Sequence, residues 1–81
     1  MTSLMDIANT ELAIIENESE FITERVHVEV EDDDSATLIV YGTICAFNAS
    51  IRIVVTSRSP GVVDVKAHMK YDIEGGWWEE I

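Results

Sequence analysis

From Ile22 onward the apolar residues recur with a period of two, and nearly fifty residues keep that rhythm between short polar breaks. Side chains of a strand alternate between two faces, so the pattern commits most of the chain to half-buried strands. Ile22 to Glu31 sets Ile22, Val26, Val28 and Val30 against Thr23, Arg25, His27, Glu29 and Glu31. Asp32 to Ser35 then turns the chain, because Asp and Ser side chains bond their own backbone. Ala36 to Asn48 is β-branched and aromatic-rich on both faces, as a central strand would be, with Gly42 the natural place for a bulge. It places Cys45 mid-strand, where a thiol is a small core hydrophobe. Asn48-Ala49-Ser50 is the next turn signal, and Ile51 to Thr56 the third strand. Pro60-Gly61 marks a further turn within Ser57 to Gly61. Val62 to Asp72 is the fourth strand, with Val63, Val65, Ala67, Met69 and Tyr71 inward. Gly75-Gly76 ends it, and Trp77-Trp78-Glu79-Glu80-Ile81 leaves room for one last edge strand.

Only the opening residues keep a different spacing. Leu4, Ile7, Ala8, Leu12 and Ile15 recur at helical intervals, and Ser3 with Asp6 forms a capping-box-like start. The spacing predicts one helix from Leu4 to Asn17, with Glu11 at its rim or the helix fraying near Thr10. Tight turns pair successive strands with each other. The expectation is an α+β fold, an N-terminal helix packed on a four- to five-stranded antiparallel meander. Eighty-one residues make a single small acidic domain, 1–81.

One face of such a sheet stays wet. The alternation puts Arg25, His27, Arg52, Lys66, His68 and Lys70 there, four of the five bases and both histidines. Two readings stand: cross-strand pairing of these bases with carboxylates such as Glu29, worth a few tenths of a kcal/mol each, or a small cationic site.

The net charge of −11 repels nucleic acid and anionic membranes and attracts basic surfaces. It is also segregated. Residues 1–34 carry eleven acids and one base, whereas residues 35–63 carry no acid. The densest stretch is Glu29-Val30-Glu31-Asp32-Asp33-Asp34, five carboxylates in six residues. Close carboxylates repel by about 1 kcal/mol per pair even in water-like dielectric, so folding gains nothing from them. On an extended strand Glu29, Glu31 and Asp33 span roughly 13 Å. One DNA strand shows about four phosphates over that length. The plainer account is a solvated turn, or adaptation to high salt.

Other chemistries lack their residues. One cysteine excludes an internal disulfide framework. With no secretory leader at the start and no long apolar run, the expectation is a cytoplasmic chain that avoids membranes. The Asp cluster lacks the glycine and distant glutamate of a calcium loop. No glycine-rich phosphate loop or nucleophile elbow is present. His27 and His68 lie on non-adjacent strands and fall short of a zinc ligand set. Neither catalytic residues, nor a metal, nor a cofactor are expected.

The opening Met1-Thr2-Ser3-Leu4-Met5-Asp6-Ile7, with the size and acidity, is similar to phage inhibitors of uracil-DNA glycosylase. The likeness covers those seven residues. It implies a helix with an antiparallel sheet and a glutamate-led strand entering the enzyme's DNA cleft. Glu18-Ser19-Glu20 would be that element, although the second helix expected after it is missing.

The functional expectation is a non-catalytic acidic inhibitor or decoy that mimics nucleic-acid charge and blocks a basic, nucleic-acid-binding protein without binding nucleic acid itself. Glu29, Glu31, Asp32, Asp33 and Asp34 would carry the contact, with Glu18 and Glu20 secondary. The alternative is a small dimeric chaperone or immunity-type protein that binds through a sheet edge and Trp77 or Trp78. Adjacent strand residues face opposite ways, so one tryptophan at most enters the core and the other is free to anchor a partner.

Overall fold

A computed structural model describes residues 3–81. One helix, α1 (Leu4–Ser19), precedes five strands: β1 (Phe21–Glu31), β2 (Ser35–Ile44), β3 (Phe47–Ser59), β4 (Val62–Tyr71) and β5 (Glu79–Glu80). The strands form one open antiparallel sheet in sequence order, β1-β2-β3-β4-β5. The fold is therefore α+β, a helix on a five-stranded meander.

The helix begins where its cap predicts. Ser3 Oγ accepts the Asp6 N–H at 3.1 Å, and the Asp6 carboxylate accepts the Ser3 N–H at 3.3 Å. Two orphan donors are satisfied reciprocally, which defines the first turn. The helix runs unbroken to Ser19, two residues past the expected end, with Glu11 half-buried at its rim. Glu20 stops it in the left-handed region at φ 54°. Phe21 follows directly as the first residue of β1, so helix and sheet share one short corner.

Ala8, Leu12 and Ile15 carry the helix onto the sheet, where Phe21, Leu38, Val40, Ile44, Ala49, Ile51, Ile53 and Val55 complete the core. The register explains this selection. Ala36 opposes Val55, Leu38 opposes Ile53 and Val40 opposes Ile51, so buried side chains of the two central strands meet one another, while Ala49 meets Gly42 and Ile44 meets the exposed Phe47.

That register also corrects two expectations. The β2–β3 turn falls at Cys45-Ala46, with φ of 50° and 70°, rather than at Asn48-Ala49-Ser50. Cys45 is exposed at the turn instead of lying in the core, and Asn48 to Ser50 belong to β3. Neither Cys nor Ala favours positive φ. Apolar matching of two long strands outweighs a local turn preference.

β1 departs from simple alternation. Its register slips between Thr23 and Arg25 and again between Val28 and Val30, leaving Glu24 and Glu29 as extra residues. Each bulge moves the following side chains to the other face. Ile22, expected inward, instead opposes Thr43 on the open face and is 66% exposed. Val26 and Val28 face the helix side, while Val30 opposes Thr37 and lies on the open face. Gly42 itself is not bulged; it sits opposite the first bulge, where the backbone of Ile22 approaches closely.

The helix lies over β1, β2 and β3 and leaves the outer flank of β4 uncovered. Of the β4 residues expected inward, Ala67 is buried, whereas Val63, Val65 and Tyr71 remain substantially exposed.

Candidate functional site

Two surfaces concentrate the polar chemistry, and the sheet separates them. The first is the acidic side formed by the helix exterior, β1 and the β1–β2 hairpin. Asp32 Oδ1 accepts the N–H groups of Asp34 and Ser35 at 2.9 and 2.8 Å, so this carboxylate closes the turn. Asp33 and Asp34 are exposed, and among the described residues their carboxylates have no partner. Glu31 opposes Ala36, and Glu29 is the extra residue of the second bulge. Glu29, Glu31 and Asp33 therefore do not continue one straight alternating row, as the strand pattern predicts. The bulge and the turn fan them out.

Glu18 is exposed in the last helical turn, and Glu20 is the helix C-cap. Glu18-Ser19-Glu20 is thus a helix end, not the leading strand that the likeness to the glycosylase inhibitors implies. Met1 and Thr2 of that likeness lie outside the described residues. β1 holds Glu18 and Glu20 apart from the hairpin: it begins just after Glu20 and ends at Glu31, a length of about 30 Å at ~3.3 Å per residue. Glu24, at the first bulge, lies between the two groups.

The second surface is the open face of the sheet. Register alone aligns its side chains in rows across the strands. Arg25, Tyr41, Ser50 and Lys70 form one row; His27, Ile39, Arg52, His68 and Glu80 form the next. Lys66 lies one row further on, opposite Val54. The six basic and imidazole side chains expected on one face do share it. Cross-strand pairing with carboxylates does not hold them: among the described residues the sole ion pair is Arg58 with Asp64 at 2.8 Å, at the far hairpin.

Aromatic rings take the place of carboxylates. The Arg25 guanidinium lies over Tyr41, 4.5 Å from the ring centroid. Arg52 and Lys70 both lie over Trp78, at 4.8 and 5.0 Å. Trp78 is consequently a half-buried cover on the open face, and Trp77, 69% exposed, is the free one. Neither enters the core. The signal for these pairs was in the sequence, since Tyr41 has the parity of the open face, but the partner of Trp78 depends on β5 folding back beside β4.

His27 and His68 share a row yet stand three strands apart, about 14 Å at ~4.8 Å per strand. Among the described residues no three His, Cys, Asp or Glu side chains converge as metal ligands. Among them too, no helix is long and apolar enough to cross a membrane.

No family model, no curated protein and no solved structure matches the chain.

Proposed function

We propose that this chain is a non-catalytic binding protein whose acidic side occupies the basic, nucleic-acid-binding surface of another protein, as an inhibitor or decoy. One observation carries the reading. Eleven acids lie in residues 1–34, and none of those described forms an ion pair, although four cations stand on the opposite face of the same sheet.

Stability does not account for that arrangement. The last turn of α1 holds no base, while Glu16, Glu18 and Glu20 cluster at its C-terminal end. Negative charge there opposes the helix dipole, by about 0.3–1 kcal/mol per charge at low ionic strength. Three successive Asp residues exceed what the β1–β2 turn uses, since Asp32 alone makes its side-chain bonds. Glu16 accepts the Thr23 hydroxyl. Carboxylates such as Glu18, Asp33 and Asp34, which have no side-chain partner among the described residues, are free to meet external cations, and they steer such a partner from a distance.

The test is capture on the immobilised protein at low and high salt. Basic nucleic-acid-binding proteins should be retained at low salt and displaced by duplex DNA. Retained proteins that DNA cannot displace would refute the mimicry.

A second reading rests on a different surface. Phe47, Tyr71, Ile73 and Trp77 expose neighbouring apolar area at the end of the sheet, with Phe47 and Tyr71 in edge-to-face contact at 6.4 Å. Apolar patches of several hundred Å² mark association surfaces. A dimeric or chaperone-like role would use Trp77, and Trp77→Ala would abolish association with little dependence on salt.

A further inference from the structure

We propose that the open face of the sheet is a binding site for a short, extended acidic peptide segment, held by Arg25, Arg52 and Lys70. This surface is independent of the acidic side and adds a second partner to a two-sided protein.

The cations are displayed without acceptors. Among the described residues none of the three has a carboxylate within ion-pair distance or a side-chain hydrogen bond. Stacking on Tyr41 and Trp78 holds the two guanidinium groups against ring faces. A stacked guanidinium keeps its N–H groups in its own plane, where they match the two oxygens of a carboxylate. Arg52 and Lys70 share one ring, so like charges are held close together, and an anion between them relieves their repulsion. In the same row as Arg52, His68 Nδ1 is shielded from solvent and has no hydrogen-bond partner. Natural structures leave few such groups unpaired. The face is short of anionic and polar partners as it stands.

Spacing selects the ligand. Arg25 and Lys70 lie in one row, three strand spacings apart, roughly 14 Å. Arg52 stands between them in the adjacent row, roughly 7 Å along the strands. Carboxylates at three alternate positions of an extended peptide span roughly 13–14 Å and repeat at about 7 Å. A peptide crossing the strands with acids at i and i+4 therefore matches Arg25 and Lys70, and Arg52, off that line but sharing the Trp78 ring with Lys70, adds its charge at the same end.

Single-stranded nucleic acid fits less well. It gains about 1–3 kcal/mol per base from stacking on free aromatic faces, and the faces here are taken by cations. Acids also rim the belt, with Glu24 at the β1 side and Glu80 at β5. A long polyanion would run onto that rim, within a chain of net charge −11. A short segment would not.

The test is fluorescence anisotropy on the whole chain, with a labelled peptide bearing glutamate at three alternate positions. A glutamine counterpart and an oligothymidylate of eight nucleotides serve as controls, all at near-physiological salt. The glutamate peptide should bind and the glutamine peptide should not. Arg52→Gln should weaken binding about tenfold. Should Arg52→Gln disturb the sheet, Arg25→Gln on the exposed edge strand gives the same reading and removes only one stacked cation. Absence of peptide binding, tighter binding of the oligonucleotide, or equal affinity of Arg25→Gln and the parent would each overturn the proposal. So would concentration-dependent self-association that Arg52→Gln abolishes, since the occupant would then be the acidic hairpin of a second copy.

Discussion

Gly42→Ala should cost about 3–5 kcal/mol of stability, although it adds one methyl group to a strand. A Cβ at this position would stand 2.0 Å from the Ile22 carbonyl oxygen, 2.8 Å from Phe21 Cζ and 2.9 Å from the Ile22 carbonyl carbon. Ordinary contact begins near 3.4 Å, so the backbone of β1 must retreat by about 1.4 Å at its closest point. The strand cannot do so and keep its ladder with β2. Two backbone hydrogen bonds at roughly 0.5–1.5 kcal/mol each are at stake. Displacing Phe21 forfeits part of the roughly 3–5 kcal/mol that a buried phenylalanine contributes. The sum is about 3–5 kcal/mol, against roughly 4–12 kcal/mol for an entire domain of this size. Urea denaturation followed by far-ultraviolet circular dichroism measures it directly. Gly61→Ala is the control: its φ is 80°, but nothing lies within 4 Å, so strain alone should cost about 1 kcal/mol. A Gly42→Ala loss below about 1 kcal/mol would refute the close approach of β1 over β2.

Replacing Cys45→Asn together with Ala46→Gly should raise stability by about 1–2 kcal/mol, because both positions have positive φ and Asn-Gly favours such hairpins; thermal melts of the pair variant check this. Ser3→Ala should lower stability by about 1 kcal/mol through loss of the capping box, read from the urea midpoint. Arg58→Ala should change stability by less than about 0.5 kcal/mol, because its ion pair with Asp64 is solvent-exposed. A larger loss in chemical denaturation would show that the β3–β4 hairpin relies on it.

The helix and the strand count were legible because the hydrophobic period changes once, between Ile15 and Ile22, and each element is long enough to show its own period. The open face was legible for the same reason: parity places Arg52, His68 and Lys70 together whatever the turn lengths. Turn position was not. Asn48-Ala49-Ser50 is rich in turn formers, yet a turn there would misalign Leu38 and Val40 with Ile53 and Ile51, and the core register overrides it. The bulges at Glu24 and Glu29 were hidden too, since neither residue type marks a bulge and the one nearby Gly, Gly42, lies on the facing strand rather than in β1. Their effect reaches the acidic site, because a bulged strand no longer presents Glu29, Glu31 and Asp33 as one row. Arg25 and Tyr41 are direct cross-strand neighbours that parity places together, whereas the Trp78 partner of Arg52 and Lys70 depends on the chain folding back beside β4, which no local pattern encodes.

The most direct test of the charge-mimic account is the salt dependence of binding to a captured basic protein. The parent chain is compared with a variant carrying Glu29→Gln, Glu31→Gln, Asp33→Asn and Asp34→Asn, with Asp32 kept because it closes the turn. The account predicts that neutralising these four weakens binding and flattens the dependence of affinity on salt. Equal affinity and an equal salt slope for the two chains would contradict it.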